Sequence, residues 1–200
     1  LMQNVLADLA LEQEAALVMS MRMARALDNQ QDESERLLMR LGTAVGKYWI
    51  CKRSPQHAYE AMECIGGSGV MEDGIMPRLF RESPINAIWE GSGNVQCLDV
   101  LRALSKTPNA IDAYLTEMAL ACGENALFDG YVHSLKNQVS RLLQQNRRAI
   151  EYGARSLVDQ LALAMQASLL IQSGVSIVSD AFCSSRLQPH TTLQYGTLPV

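Results

Sequence analysis

The residues best suited to chemistry lie in one run, Trp89-Glu90-Gly91-Ser92-Gly93-Asn94, inside residues 76–104. An acid stands between an aromatic ring and a small-residue turn. Directly after it, Val95, Leu98, Leu101 and Leu104 recur at helical spacing. Gly91 and Gly93 let backbone approach a ligand closely. The free N–H groups of a helix start favour electron-rich or anionic groups. A carboxylate held at such a place is a candidate proton acceptor. The same residues fit a second reading, in which Glu90 complements the helix dipole and Ser92 is an N-cap.

A second candidate site is cationic. Arg141, Arg148 and Arg155 are spaced by seven, which keeps them nearly in line on a helix with a drift of about 20° per step. Arg147, Gln138, Gln144 and Gln145 surround them. Such a stripe suits phosphate backbones. A solvated helix face fits it equally well.

Composition limits the alternatives. The 200 residues are 48% hydrophobic, rich in Leu, Ala and Met, with only 6 Pro. That argues for a helical globular protein long enough to bury a sizeable core. The net charge of −4 does not describe a nucleic-acid binder as a whole. Residues 1–104 hold 10 Lys/Arg against 14 Asp/Glu, and residues 105–200 hold 7 against 7, so the acidity lies in the first half. The five cysteines are scattered without a CxxC pair, and His57, His133 and His190 stand alone. This spacing argues against zinc and for reduced thiols in a cytoplasmic setting. No signal peptide and no membrane-spanning run is present. The chain opens at Leu1 in mid-helix pattern, as a fragment of something longer would. Gly66-Gly67-Ser68-Gly69 ends a helix and is not a dinucleotide fingerprint.

The elements that must position these residues are all helical. Apolar spacing predicts helices over about 2–27 and 34–53, with Gln13 and Ser20 as polar groups on the first helix's apolar face. Ser54-Pro55 is read as stopping the second helix and starting a third that ends at Gly66. Thr107-Pro108 marks a subdomain boundary at about 105–109. Further helices are predicted to Gly123, over about 126–152 with Gly153 as kink or end, over 155–172 and over about 175–185. Residues 157–171 are apolar nearly all round, which suggests a central buried helix. The tail from 188 to 200 is predicted to be extended.

The segment Glu-Ala-Met-Glu-Cys-Ile-Gly-Gly-Ser-Gly (60–69) and the run Arg-Glu-Ser-Pro-Ile-Asn-Ala-Ile-Trp-Glu-Gly-Ser-Gly-Asn (81–94) resemble the C-terminal domain of flavin-dependent acyl-CoA dehydrogenases. Ile-Trp-Glu-Gly-Ser-Gly-Asn followed by Cys-Leu-Asp-Val-Leu-Arg is most similar to the AidB, or alkylation-response, subgroup. The resemblance covers essentially the whole chain and is strongest over 1–104. It implies an all-α fold: an up-down helical bundle over 1–104 and a C-terminal helical extension over 105–200, assembling into homodimers or homotetramers. It implies FAD as cofactor and an acyl-CoA as substrate. Glu90 becomes the base that takes the thioester's α-proton, which requires a dry pocket to raise its basicity. Ile88, Trp89, Glu90, Gly91, Ser92, Gly93 and Asn94 line the flavin, with Ser92 and Asn94 standing where Thr and Gln are common. Trp89 narrows the acyl cavity, so weak dehydrogenase activity is expected. Gly66 and Gly67 fit close backbone approach to the cofactor. Glu63 departs from the Gln that reaches the pyrophosphate across the dimer in many members, and a carboxylate there would repel it. Arg81 anchors its loop through a buried or partner-chain ion pair. The subgroup also binds double-stranded DNA through its C-terminal region, which implicates Arg102, Arg141, Arg147, Arg148 and Arg155. The alternatives are an ordinary acyl-CoA dehydrogenase whose last helices only build the oligomer, and a non-enzymatic helical assembly module.

Overall fold

The computed structural model describes residues 1–189 and 192–199. Among these are eight α-helices and no strand. They are α1 (Met2–Asp28), α2 (Glu33–Ile65), α3 (Met76–Glu82), α4 (Gly93–Lys106), α5 (Asn109–Ala119), α6 (Ala126–Leu143), α7 (Arg147–Gln172) and α8 (Ser176–Arg186). Short 3-10 turns at Gly66–Val70 and Ser83–Ala87 flank α3.

Two helices organise the bundle. α2 packs against α1, α4, α5 and α7, and α7 packs against α1, α2, α4, α5, α6 and α8. The four-residue link between α1 and α2 makes them antiparallel neighbours. Asp32 caps α2 by accepting Ser34 N–H at 2.8 Å. Gly42 on α2 lets the helices close up, because a Cβ there would meet Met23 Sδ at 2.3 Å. From Ala154 to Leu170, α7 buries most of its residues, as its all-round apolarity predicts. One continuous apolar core runs from Leu11, Leu41 and Val100 through Tyr114, Phe128 and Leu161 to Phe182. Burying each such side chain contributes roughly 1.5–3 kcal/mol. Arg22 ties α1 to α2 and α5 through Glu35 and Glu117, both at 2.7 Å.

The structure corrects several expectations. α2 does not stop at Ser54. It continues through Pro55 to Ile65. Pro55 removes the N–H that would bond the Cys51 carbonyl, but Tyr48, Trp49, Arg53 and Met62 are buried on both sides of it, and that packing offsets the local loss. The predicted 126–152 helix breaks at residues 144–146 instead of Gly153. Asn146 caps α7 by accepting Ala149 N–H at 3.1 Å, a strong start signal that the apolar period hid. Gly153 lies inside α7, facing Leu142. Gln13 and Ser20 on α1 are exposed, and the buried polar residues there are Asp8 and Glu12. The buried face of α4 is Cys97, Val100, Ala103 and Leu104, while Val95 and Leu98 face outward.

Asp8 and Glu12 close a four-membered ionic cluster. Arg186 of α8 bonds Asp8 and lies 3.6 Å from Glu12. Arg53 of α2 pairs with Glu12 at 3.0 Å. The tail is strapped over this cluster and forms no strand among its described residues. Asp8 Oδ2 accepts Gly196 N–H at 3.0 Å, and Asn4 both donates to Leu198 O and accepts its N–H. His190, Thr191 and Val200, part of the predicted extended tail, lie outside the described residues.

Candidate functional site

The Glu90 turn is held from behind by a residue that sequence reasoning passed over. Lys47, in the middle of α2, donates its ammonium hydrogens to three backbone carbonyls: Asn86 at 2.6 Å, Trp89 at 2.9 Å and Gly91 at 3.2 Å. Gln96 on α4 adds bonds from its amide nitrogen to Glu90 O (3.0 Å) and Gly91 O (3.3 Å). Between these anchors Glu90 adopts φ 52, the one positive φ outside glycine among the described residues. A non-glycine residue in this region is strained and persists only where its surroundings over-determine it. Gly91 follows at φ 103, a conformation that favours glycine, and the Gln96 amide closes over it, 2.4 Å from where a Cβ would stand.

The turn directs its side chains outward. Ile88, Trp89, Glu90 and Asn94 are exposed, and the Glu90 carboxylate pairs with no cation among the described residues. Behind the turn, Tyr48 packs against Gly93, whose Cβ position is 3.4 Å from Tyr48 Cε2. Ser92 occupies the N-cap position of α4, but its hydroxyl makes no capping bond. Asn94 is tied at its oxygen: Arg155 Nε donates to Asn94 Oδ1 at 3.0 Å. Beside this pair, burial raises the Asp159 carboxyl above its ordinary value, opposed by a hydrogen bond with Tyr48 and by the charge of Arg155.

Gly66 and Gly67 lie elsewhere. Both have open space where a Cβ would stand, and Gly66 has φ 72. They follow the C-terminus of α2, about 28 Å along that helix from Lys47 at 1.5 Å per residue. Within one chain the two predicted parts of the cofactor site are not neighbours. Arg81 pairs with Glu72 at 2.6 Å on the surface of this same chain, both side chains exposed, which corrects the expectation of a buried pair. Glu63 is exposed.

The arginine stripe is not one line. Arg141 ends α6, and Arg147 and Arg148 begin α7 across the 144–146 turn, all three exposed. Arg147 pairs with Glu151 at 2.7 Å. Arg155 turns away to Asn94. Arg102 on α4 bonds Asp99 at 3.2 Å, and Asp99 is also held by Arg40 at 2.8 Å. No helix among the described residues is long and apolar enough to cross a membrane.

An all-helical bundle of this form, without strands among the described residues, is the fold of an acyl-CoA dehydrogenase C-terminal domain. The chain belongs to the acyl-CoA dehydrogenase family: residues 1–105 match the model of the acyl-CoA dehydrogenase C-terminal domain. It is 38% identical over 187 residues to the putative acyl-CoA dehydrogenase AidB of Escherichia coli K12, covering 94% of this chain and 33% of that protein. Acyl-CoA dehydrogenase family member 11 of Caenorhabditis elegans is 28% identical over 160 residues, covering 78% of this chain and 26% of that one. The crystal structure of C. elegans ACDH-11 in complex with C11-CoA superposes with a TM-score of 0.79 at 24% identity, over 94% of this chain and 36% of that one. The chain thus spans about a third of the length of these relatives.

Proposed function

We propose that this chain is the C-terminal part of an FAD-dependent acyl-CoA dehydrogenase of the AidB kind, with Glu90 as the base. The observation that carries the reading is the pinned turn. A carboxylate held at positive φ by Lys47 and Gln96, with no cation of its own, is poised for a group that arrives from outside. A bound flavin would supply the acceptor for the hydride leaving the β-carbon of an acyl thioester. Glu90 takes the α-proton on its carboxylate oxygen. Ser92 has an uncommitted hydroxyl, and Asn94, its oxygen fixed by Arg155, has its amide N–H groups available as donors. Both suit the electron-rich edge of a flavin ring. Gly66 and Gly67, open and remote from Glu90, suit backbone contact with a cofactor shared between two copies of the chain. Covering Glu90 with ring and thioester removes water, which raises carboxylate basicity.

The test uses the full-length protein. Acyl-CoA is expected to bleach the bound flavin, and Glu90→Gln is expected to abolish bleaching while retaining flavin. Bleaching that survives Glu90→Gln removes Glu90 as the base. Trp89→Gly is expected to raise turnover if the indole restricts the acyl cavity.

Double-stranded DNA binding in the alkylation response is the finer part of the proposal, assigned to the layer over 105–200. The supporting observation is the exposed group Arg141, Arg147 and Arg148 around the α6–α7 turn, with Arg102 on α4 beside it. Arg148→Glu is expected to weaken duplex binding uniformly across sequences and to lower the salt slope by about 1. An unchanged slope removes this turn from the interface.

A further inference from the structure

A concavity much roomier than the space at the Glu90 turn lies elsewhere on the chain. It lies where the second half of α4 faces the end of α6 and the start of α7, with a volume of about 580 Å³. This falls in the usual range for ligand pockets, about 300–1,000 Å³. Its floor is aliphatic, from Leu98, Leu101, Leu143 and Ile150. Leu98 and Leu143 remain 44% and 46% exposed. Its rim is cationic. Lys106 ends α4 and makes no ion pair among the described residues. Arg102 and Arg147 stand beside it, each with one carboxylate neighbour, Asp99 and Glu151. One apolar trough with a cationic end matches one kind of molecule, an aliphatic chain ending in an anion.

We propose that this groove binds a medium-chain aliphatic carboxylate, the chain along the leucines and the head group at Lys106 and Arg147. It is independent of the Glu90 reading, since its cationic end lies about 20 Å along α4 from that turn. A site fitted only to phosphate backbones would not need the aliphatic floor, and a structural leucine patch would not need the unpaired lysine.

Calorimetric titration of octanoate, decanoate and dodecanoate into the full-length protein tests both halves. Affinity is expected to rise about two- to fourfold per added methylene, the gain for a CH₂ partly or fully removed from water. Methyl esters are expected to bind more weakly than the free carboxylates. Lys106→Glu is expected to cost about fivefold at every chain length, the scale of one rim charge. Leu143→Asp is expected to flatten the chain-length series. Circular dichroism confirms that both exposed-site variants stay folded. No binding, a flat series in the parent chain, or equal binding of esters overturns the proposal. So does a short DNA duplex that occupies the groove while the carboxylates do not.

Discussion

Arg155 of α7 and Asn94 of α4 are hydrogen-bonded partners, Nε to Oδ1 at 3.0 Å. By sequence the arginine belongs to a phosphate-binding stripe and the asparagine to a flavin contact. The structure joins them and thereby couples the two halves of the chain where a flavin candidate meets a phosphate candidate. Arg155→Met frees the Asn94 amide to rotate. In the full-length protein, flavin retention on dilution is expected to fall several-fold while the salt slope of DNA binding stays unchanged. The reverse outcome would return Arg155 to the phosphate-contact set.

Lys47→Met removes all three of its bonds to carbonyls at the Glu90 turn. Hydrogen bonds to charged groups contribute about 1.5–3 kcal/mol where buried. Lys47 is only half-buried, so about 1–2 kcal/mol of loss is expected by urea unfolding. The sharper readout is local. Amide exchange around Trp89 and Gly91 should accelerate far more than exchange in α7, and a uniform change would argue against a dedicated anchor.

Gln166 is 1% exposed on α7, and neither of its amide atoms has a partner among the described residues. It lines a small cavity of about 140 Å³ with Glu12, Arg53 and His57. Gln166→Leu should raise stability by about 1–2 kcal/mol, because it removes a buried polar group without a partner. A lower melting temperature would mean that the cavity supplies the amide with a bonding partner of its own.

His57 sits beside the same cavity, bonded to Tyr195 at 3.1 Å, and burial lowers its pKa from the ordinary 6.5. The folded state therefore binds a proton less readily than the unfolded chain. Its contribution is present above pH 6.5 and is lost as pH falls toward the depressed folded value. His57→Gln should flatten the stability profile below that pH. An unaltered profile would assign acid sensitivity to other groups.

Much of this was legible in sequence. The apolar periods gave the helices, the all-round apolarity of 157–171 marked α7 as central, and the residues around Glu90 pointed to the family. What was hidden is what depends on distant partners. Pro55 reads locally as a helix stop, and only packing from α1 and the tail explains why α2 passes through it. Asn146 reads as one more polar residue in a glutamine-rich stretch until its cap bond is seen. Lys47 falls in the clearest apolar stripe of the chain, where a single cation has no pattern to announce its three carbonyls. The pairing of Asp8 with Arg186 spans 178 positions, far beyond any periodicity.

That last pairing sets an order of events during synthesis. Asp8 is made well before the Arg186 guanidinium and the Gly196 amide that neutralise and bond it, which follow it by 178 and 188 positions. Until then α1 carries an unmatched acid on its inner face, which disfavours its packing against α2 and α7. Asp8→Asn should cost about 3–5 kcal/mol at equilibrium, the scale for leaving one member of a buried pair alone. The nascent bundle therefore stays unlatched along α1 until α8 and the segment around Gly196 have been made.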